Sequence, residues 1–367
     1  MYPTEEKRRE GNEAAESDHG ALQANRSLFC GVYPYCSEGG TGIFLKCLAR
    51  FAVPFFFMAS GYFSFQVDCD RLKRRIVHFL PILLLANLAG FVSDLLQVYL
   101  SNELTLDSYL KNLFTFSRIY NLLFQSLSPF LDILWFLNAL LYCYLLFWLY
   151  TRFQGQKEKD YRPLYLLAVV LLLFFYGFLL LASLFSSNSD LNLSISLKYY
   201  RNFAFFGWPC FSIGLFLREY QDQIFVRFGL TCKRLIFLWV AGALLAVVEC
   251  YGNGQKECYL GSFVMAVSFV LLAARRPILT TSPHMQSFFS WCGRISLMLY
   301  FWHGFLWYEV ISGYNEYLPL LNSIKESSWR IPIIIAVSLL LGTLCLLVSD
   351  FFRVLCTRWR KARTMQR

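Results

Sequence analysis

The sequence predicts an all-α fold, a polytopic transmembrane helix bundle. Three observations carry that prediction. Apolar residues are 57% and charged residues only 16% of the 367, whereas an average soluble chain is about 25% charged. Apolar runs of about 20 residues, the length that carries a helix across a bilayer, recur along the chain. The cations gather between those runs, as loop charges of membrane proteins do.

About nine segments read as spans: 43–65, 76–98, 130–150, 164–184, 202–217, 235–251, 259–274, 295–311 and 331–355. The first contains AVPFFFMASGYF from Ala52, with a helix-breaking Pro54 and a Ser60-Gly61 pair. Proline frees a backbone carbonyl one turn back, and in lipid such a break needs protein or a water-filled cavity to satisfy it. A kinked packing helix and the wall of a site both fit. Between the second and third spans, 109–127 is amphipathic and suits an interfacial or a re-entrant segment.

The third span opens FLDILWFLNALL, with Asp132, Trp135 and Asn138 three apart on one helix face. They read either as a functional polar stripe or as an interfacial acid beside an aromatic-belt anchor. The fifth, RNFAFFGWPCFSIGLFL, starts at Arg201 and Asn202 and carries Gly207, Pro209 and Gly214. Its polar mouth either binds an acceptor or caps and anchors the helix, while its small residues allow close packing. The eighth, GRISLMLYFWHGFLWYEV, places His303 and Glu309 within the membrane. An intramembrane ionisable residue is a functional candidate, and a hydrogen bond between helices is the alternative. His78 and His284 sit beside or within loops and suit solvated roles.

Loop charge orients the bundle. Arg71, Lys73, Arg74 and Arg75 follow the first span; Arg152, Lys157, Lys159 and Arg162 the third; Arg218, Arg227, Lys233 and Arg234 the fifth. Arg275 and Arg276 follow the seventh, and Arg358, Arg360, Lys361, Arg363 and Arg367 the last, whereas the even-numbered connections carry fewer cations. By the positive-inside rule the basic ends and the C-terminus are cytoplasmic. Nine spans put the N-terminus outside despite Lys7, Arg8 and Arg9, so parity favours a tenth span, which 1–42 is too polar to supply. The expected domains are an irregular segment 1–42, a membrane domain 43–357 and a basic tail 358–367.

The net charge of +10 does not imply nucleic acid, because the cations are dispersed between spans instead of forming one phosphate-tracking segment. The 12 cysteines are scattered, with no Cys-x-x-Cys pair and no zinc spacing. Walker, nucleophile-elbow and His-Glu-x-x-His motifs are absent, which removes ATPase and metalloprotease chemistry and leaves no tightly bound cofactor or metal to expect. Lys46 and Arg50, one turn apart before Ala52, either snorkel or hold a functional charge. The cluster Arg71-Leu72-Lys73-Arg74-Arg75 suits two roles: anchoring to anionic lipid, or guanidinium forks on the phosphates of a nucleotide-containing donor.

These motifs together resemble the acyltransferase-3 family of polytopic membrane acyltransferases. The resemblance runs from about Gly42 and is carried by LARFAVPFFFMASGYF, the Arg71-Leu72-Lys73-Arg74 pattern followed by Pro81, LWFLNALLYCYLL, RNFAFFGWPCFSIGLFL and GRISLMLYFWHGFLW. The first stretch is similar to the membrane half of vancomycin-resistance serine/alanine racemases, although no soluble racemase domain follows the last span. The resemblance implies a ten-helix bundle in a bacterial cell membrane. It implies transfer of an acyl group, commonly acetyl, from cytoplasmic acyl-coenzyme A to a hydroxyl of a saccharide, cell-wall component or similar acceptor. It assigns donor binding to Arg71 and Arg74, with Arg75 alongside. Arg50, Ser60, Trp135, Asn138, Arg201, Asn202, His303 and Glu309 are the candidates for the cavity or the acceptor.

One departure stands out. The family pattern sets a catalytic-base His eleven residues after an Arg in its first helix, whereas Arg26 is followed at that distance by Ser37, and His19 precedes it. The catalytic residue is therefore unassigned. A positioned base is worth roughly 100- to 10,000-fold in rate, so slow transfer is the expectation for this chain. A transporter or flippase of a polar envelope substrate is the alternative function. Donor protection by acyl-coenzyme A that depends on Arg71 and Arg74 distinguishes the enzyme from it.

Overall fold

The computed structural model describes residues 44, 47–101, 106–113, 115–155, 160–185, 202–253, 258–275, 283–327 and 329–365. Among them the chain is a helix bundle. In order come α1 (Ala52–Tyr62), α2 (Cys69–Ser101), the short α3 (Leu106–Leu113) and α4 (Phe116–Gln125), a 3-10 turn Asp132–Leu134, α5 (Trp135–Gln154) and α6 (Arg162–Phe185). A π-helical turn, Phe203–Gly207, leads into α7 (Trp208–Glu219) and the short α8 (Gln221–Arg227). Then follow α9 (Cys232–Asn253), α10 (Leu260–Ala274), α11 (Pro283–Phe305) with a π-helical extension Leu306–Ile311, α12 (Pro319–Glu326) and α13 (Arg330–Met365).

Each predicted span contains helix, although the first is interrupted by turns at 50–51 and 63–65 and the third becomes helical only from Asp132. Among the described residues, four helices are long and apolar enough to cross a membrane: Cys69–Leu100, Asp132–Gln154, Cys232–Gly252 and Arg330–Phe351; shorter apolar helices include Cys47–Tyr62, Arg162–Phe175 and Leu260–Ala274. The surface of the bundle is apolar, with Leu84, Leu244, Val248, Leu340 and Phe351 all exposed. In lipid that is the unstrained arrangement, since acyl chains are as apolar as leucine.

Three boundaries differ from the sequence expectation: α11 starts at Pro283 and not at 295, so His284 lies on a helix; α13 runs on to Met365, past 355; and α2 starts early enough to take in His78 and the basic cluster. The second span was expected from residue 76 with a basic loop before it, yet α2 starts at Cys69, so Arg71 to Arg75 lie on its first two turns. Asp70 in the first turn suits the positive end of the helix dipole, and Asp68 pairs with Arg71 at 3.7 Å. These contacts let the helix continue past the apolar stretch into a charged segment.

The centre of the bundle is where α1 meets α5 and α7. Phe57, Met58, Leu134, Leu137, Phe147, Trp208, Phe211 and Leu215 are buried there. Phe57 meets Phe136 edge-on at 4.9 Å between ring centroids, and Phe147 meets Phe211 at 5.7 Å. α1 and α7 touch backbone to backbone: a Cβ on Gly61 would overlap the Phe211 carbonyl, and one on Gly214 the Met58 carbonyl. Gly242 and Gly261 do the same between α9 and α10. Without a hydrophobic drive between helices in lipid, small residues that bring backbones together supply much of the cohesion.

Candidate functional site

The termini that carry cations meet at one end of the bundle. Cys69 Sγ and Thr151 Oγ1 lie 3.3 Å apart, joining the start of α2 to the end of α5. The Tyr62 hydroxyl donates to Gln221 Oε1 at 2.6 Å, and Arg218 both donates to that hydroxyl at 3.4 Å and sits over the ring at 5.4 Å. Tyr165 donates to Glu219, and Arg275 lies 4.5 Å over the Phe225 ring. The Gln66 N–H donates to the Tyr161 hydroxyl at 3.1 Å. Burial pushes that hydroxyl above the usual tyrosine range, and the bond from Gln66 opposes the shift.

On this rim the basic patch divides. Arg71 and Arg74 are three residues apart and exposed, so both guanidinium groups reach water from one face. Arg75 turns back: its guanidinium donates to the Phe63 carbonyl at 3.1 Å and to Ser64 Oγ at 3.3 Å. Ser64 Oγ in turn donates to the Ser60 carbonyl at 2.7 Å. Ser60 thus belongs to a clamp that fixes the α1–α2 corner, and the irregular end of the AVPFFFMASGYF stretch is satisfied by protein. Arg71 and Arg74 can fork onto phosphate oxygens; Asp68, 3.7 Å from Arg71, offsets part of that guanidinium's charge.

At the opposite end, a short segment turns into the bundle. α4 ends at Ser126, which has φ of 60°. The carbonyls left open there are met by side chains from elsewhere: Tyr142 donates to Leu122 O at 2.8 Å, Asn138 to Ser126 O at 3.1 Å and Asn202 to Phe124 O at 2.6 Å. Asn202 Oδ1 also accepts from Ala204 N at 2.7 Å, capping the π-helical turn before α7. Ser128 Oγ donates to Asn87 Oδ1 at 2.7 Å and accepts from the backbone of Phe130 and Leu131. Asn138 and Asn202 were selected from sequence as acceptor candidates, and the structure sets both against this segment's backbone.

Of the other selected residues, Trp135 is half-buried with its ring 6.2 Å from Phe206 and 6.5 Å from Phe57. Asp132 lies in the 3-10 turn before it, so the three-residue stripe is not one continuous helix face. His303 is half-buried on α11, its Nδ1 2.9 Å from Leu299 O and its ring 5.6 Å from Tyr300. Glu309 sits in the π-helical extension and accepts from Ser93 Oγ at 2.9 Å and Gln97 Nε2 at 3.3 Å. Tyr314 donates to Ser93 O at 2.8 Å, and Tyr109 to Asp94 at 3.0 Å. Burial, then the Asp94 carboxylate, raises the Tyr109 hydroxyl above its usual range. Arg50 is half-buried in the turn before α1. Lys46, Arg201, His19, Arg26 and Ser37 lie outside the described residues.

The two ends are distinct places. Arg71 and Ser93 stand 22 residues apart on α2, about 33 Å at the helical rise. Sequence reasoning missed Tyr62, Gln221 and Arg218 on the basic rim, and Ser93, Gln97, Tyr142 and Ser126 at the other end. Arg218 stood in a counted basic loop; the rest are unexceptional in local sequence and acquire partners only in the fold. Among the described residues no group of three His, Cys, Asp or Glu is placed to hold a metal ion.

The model of an acyltransferase domain, that of the acyltransferase-3 family, matches residues 30–348. The chain belongs to this family: it is an integral membrane acyltransferase. No curated protein and no solved structure matches it.

Proposed function

We propose that this chain takes an acyl group, acetyl in the first instance, from cytoplasmic acyl-coenzyme A and passes it to a hydroxyl of a saccharide or cell-wall acceptor. The observation that carries the proposal is the division of the basic patch. All three arginines are exposed on the first turns of α2, but Arg75 is engaged by the Phe63 carbonyl and Ser64, whereas among the described residues Arg71 pairs only with the exposed Asp68, at 3.7 Å, and Arg74 shares its face. Guanidinium groups so placed suit the phosphates of a coenzyme A donor, bound by charge-assisted forks at the rim. Arg218 and the cations of the neighbouring termini add to the same field.

In the reaction the acceptor oxygen attacks the thioester carbonyl, the carbon–sulfur bond breaks, and coenzyme A leaves as thiolate. The hydroxyl proton passes to a base as attack proceeds. The donor phosphates belong at the rim, and the acyl end belongs inward, towards Ser60, Trp135 and His303. Glu309, held by Ser93 and Gln97, belongs to the acceptor side in this reading.

The test is turnover of labelled acetyl-coenzyme A by membranes containing the full chain, with and without Arg71→Ala and Arg74→Ala. Loss of acyl consumption in the double variant supports the reading. Saturable movement of a polar substrate without acyl consumption supports a transporter instead.

A further inference from the structure

The helix α4 is amphipathic in the reverse sense to a soluble surface helix. Phe116, Ile119, Tyr120, Leu123 and Phe124 are all exposed, Phe116 at 84%. Successive residues turn by about 100°, so these five share one face. The polar Arg118, Asn121 and Gln125 lie on the other face and are half-buried against the protein. The exposed aromatics also stack along the helix: Phe116 on Tyr120 with centroids 6.5 Å apart, and Tyr120 on Phe124 at 5.0 Å. Polar-in and apolar-out is the arrangement that a hydrocarbon surrounding favours and water disfavours.

The C-terminal end of α4 gives the depth. Tyr142, which binds Leu122 O, stands seven residues into α5, about 10 Å along the helix from Trp135. Asn138 and Asn202 bind the next carbonyls, Ser126 O and Phe124 O, and Phe203 N donates to Ser126 Oγ at 3.3 Å. Irregular backbone at membrane depth survives where protein satisfies its polar groups, and here side chains from two spans do so.

We propose that α4 is a re-entrant helix whose aromatic face lies among the acyl chains of the leaflet opposite the basic rim, with bilayer lipid as its partner. Tyr142, Asn138 and Asn202 are positioning residues for it, closing the carbonyls that the turn at Ser126 leaves open. A helix merely resting on the membrane surface would not need three side chains from within the bundle to complete its end.

The test uses the full chain with p-benzoylphenylalanine at Phe116 or Phe124, and at Asn121 for the polar face, in vesicles of phosphatidylethanolamine and phosphatidylglycerol. Irradiation is expected to give phospholipid adducts at positions 116 and 124 at roughly five times or more the yield at 121. Adducts at 116 and 124 mainly to residues 1–43 or to a second copy overturn the proposal, as does equal lipid yield at all three positions. Position 116 is the safeguard against misfolding, because its exposed side chain can be replaced even where the change at 124 disturbs the anchored end.

Discussion

Gly61 of α1 and Gly214 of α7 form a reciprocal contact: a Cβ on either would overlap a carbonyl oxygen of the opposite helix. The crossing brings the AVPFFFMASGYF stretch against the spine of the bundle and holds the Tyr62 end beside Arg218 and Gln221. Close packing at one crossing therefore fixes the geometry of the basic rim.

Substituting Ala at Gly61 or Gly214 is expected to force the helices apart and to destabilise by about 1–3 kcal/mol, the usual range for overpacking. Gly177→Ala, where a Cβ meets nothing within 4 Å, is expected to be neutral or slightly stabilising. Thermal unfolding of the detergent-purified variants, compared side by side, checks the contrast.

Arg75 and its neighbours should separate by phenotype. Arg75→Ala removes two hydrogen bonds at the α1–α2 corner and is expected to cost about 1 kcal/mol, discounted because the group is exposed. Arg71→Ala and Arg74→Ala are expected to leave stability within about 0.5 kcal/mol while raising the donor KM. Unfolding and steady-state kinetics on the same preparations distinguish the two effects.

The side chains that close the end of α4 should behave as structural groups. Asn138→Leu or Tyr142→Phe leaves a carbonyl without its donor and is expected to cost about 1–3 kcal/mol. Asn202→Ala should cost more than either, since it also removes the cap on Ala204. Unfolding midpoints in detergent give the ranking, and equal midpoints for all three would contradict it.

At Glu309 the shape of the side chain can be kept while its charge is removed. Glu309→Gln retains an oxygen to accept from Ser93 and is expected to be tolerated in stability; Glu309→Leu removes the acceptor and is expected to cost about 1–3 kcal/mol. If Glu309→Gln lowers acyl transfer without moving the unfolding midpoint, the charge itself serves the acceptor side.

Much of the fold was legible because lipid writes hydropathy into the sequence over whole spans. The apolar runs and the alternation of loop cations located the helices and gathered the basic termini at one end. The start of α2 was not legible: five consecutive residues rich in cations read as a loop, whereas the acidic Asp70 in the first turn, the Asp68–Arg71 pair and the bonds of Arg75 favour helix through them. The amphipathic 109–127 left interfacial and re-entrant placements open, and the side chains that meet its backbone, Tyr142 and Asn202, stand 20 and 78 residues from the carbonyls they bind. For the same reason Asn138 and Asn202 stood out as polar residues in apolar spans without revealing that backbone carbonyls would be their partners. The π-helical turns, one after Asn202 and one containing Glu309, leave no periodic mark in so short a stretch.

Labelled acetyl-coenzyme A turnover in membranes bears most directly on Arg71 and Arg74 as the donor site. Wild-type chain is expected to consume acetyl-coenzyme A, and the Arg71→Ala, Arg74→Ala double variant to lose roughly tenfold or more in kcat/KM through a higher KM, with its unfolding midpoint unchanged. Unchanged turnover in a well-folded double variant would contradict the assignment of those arginines to the donor.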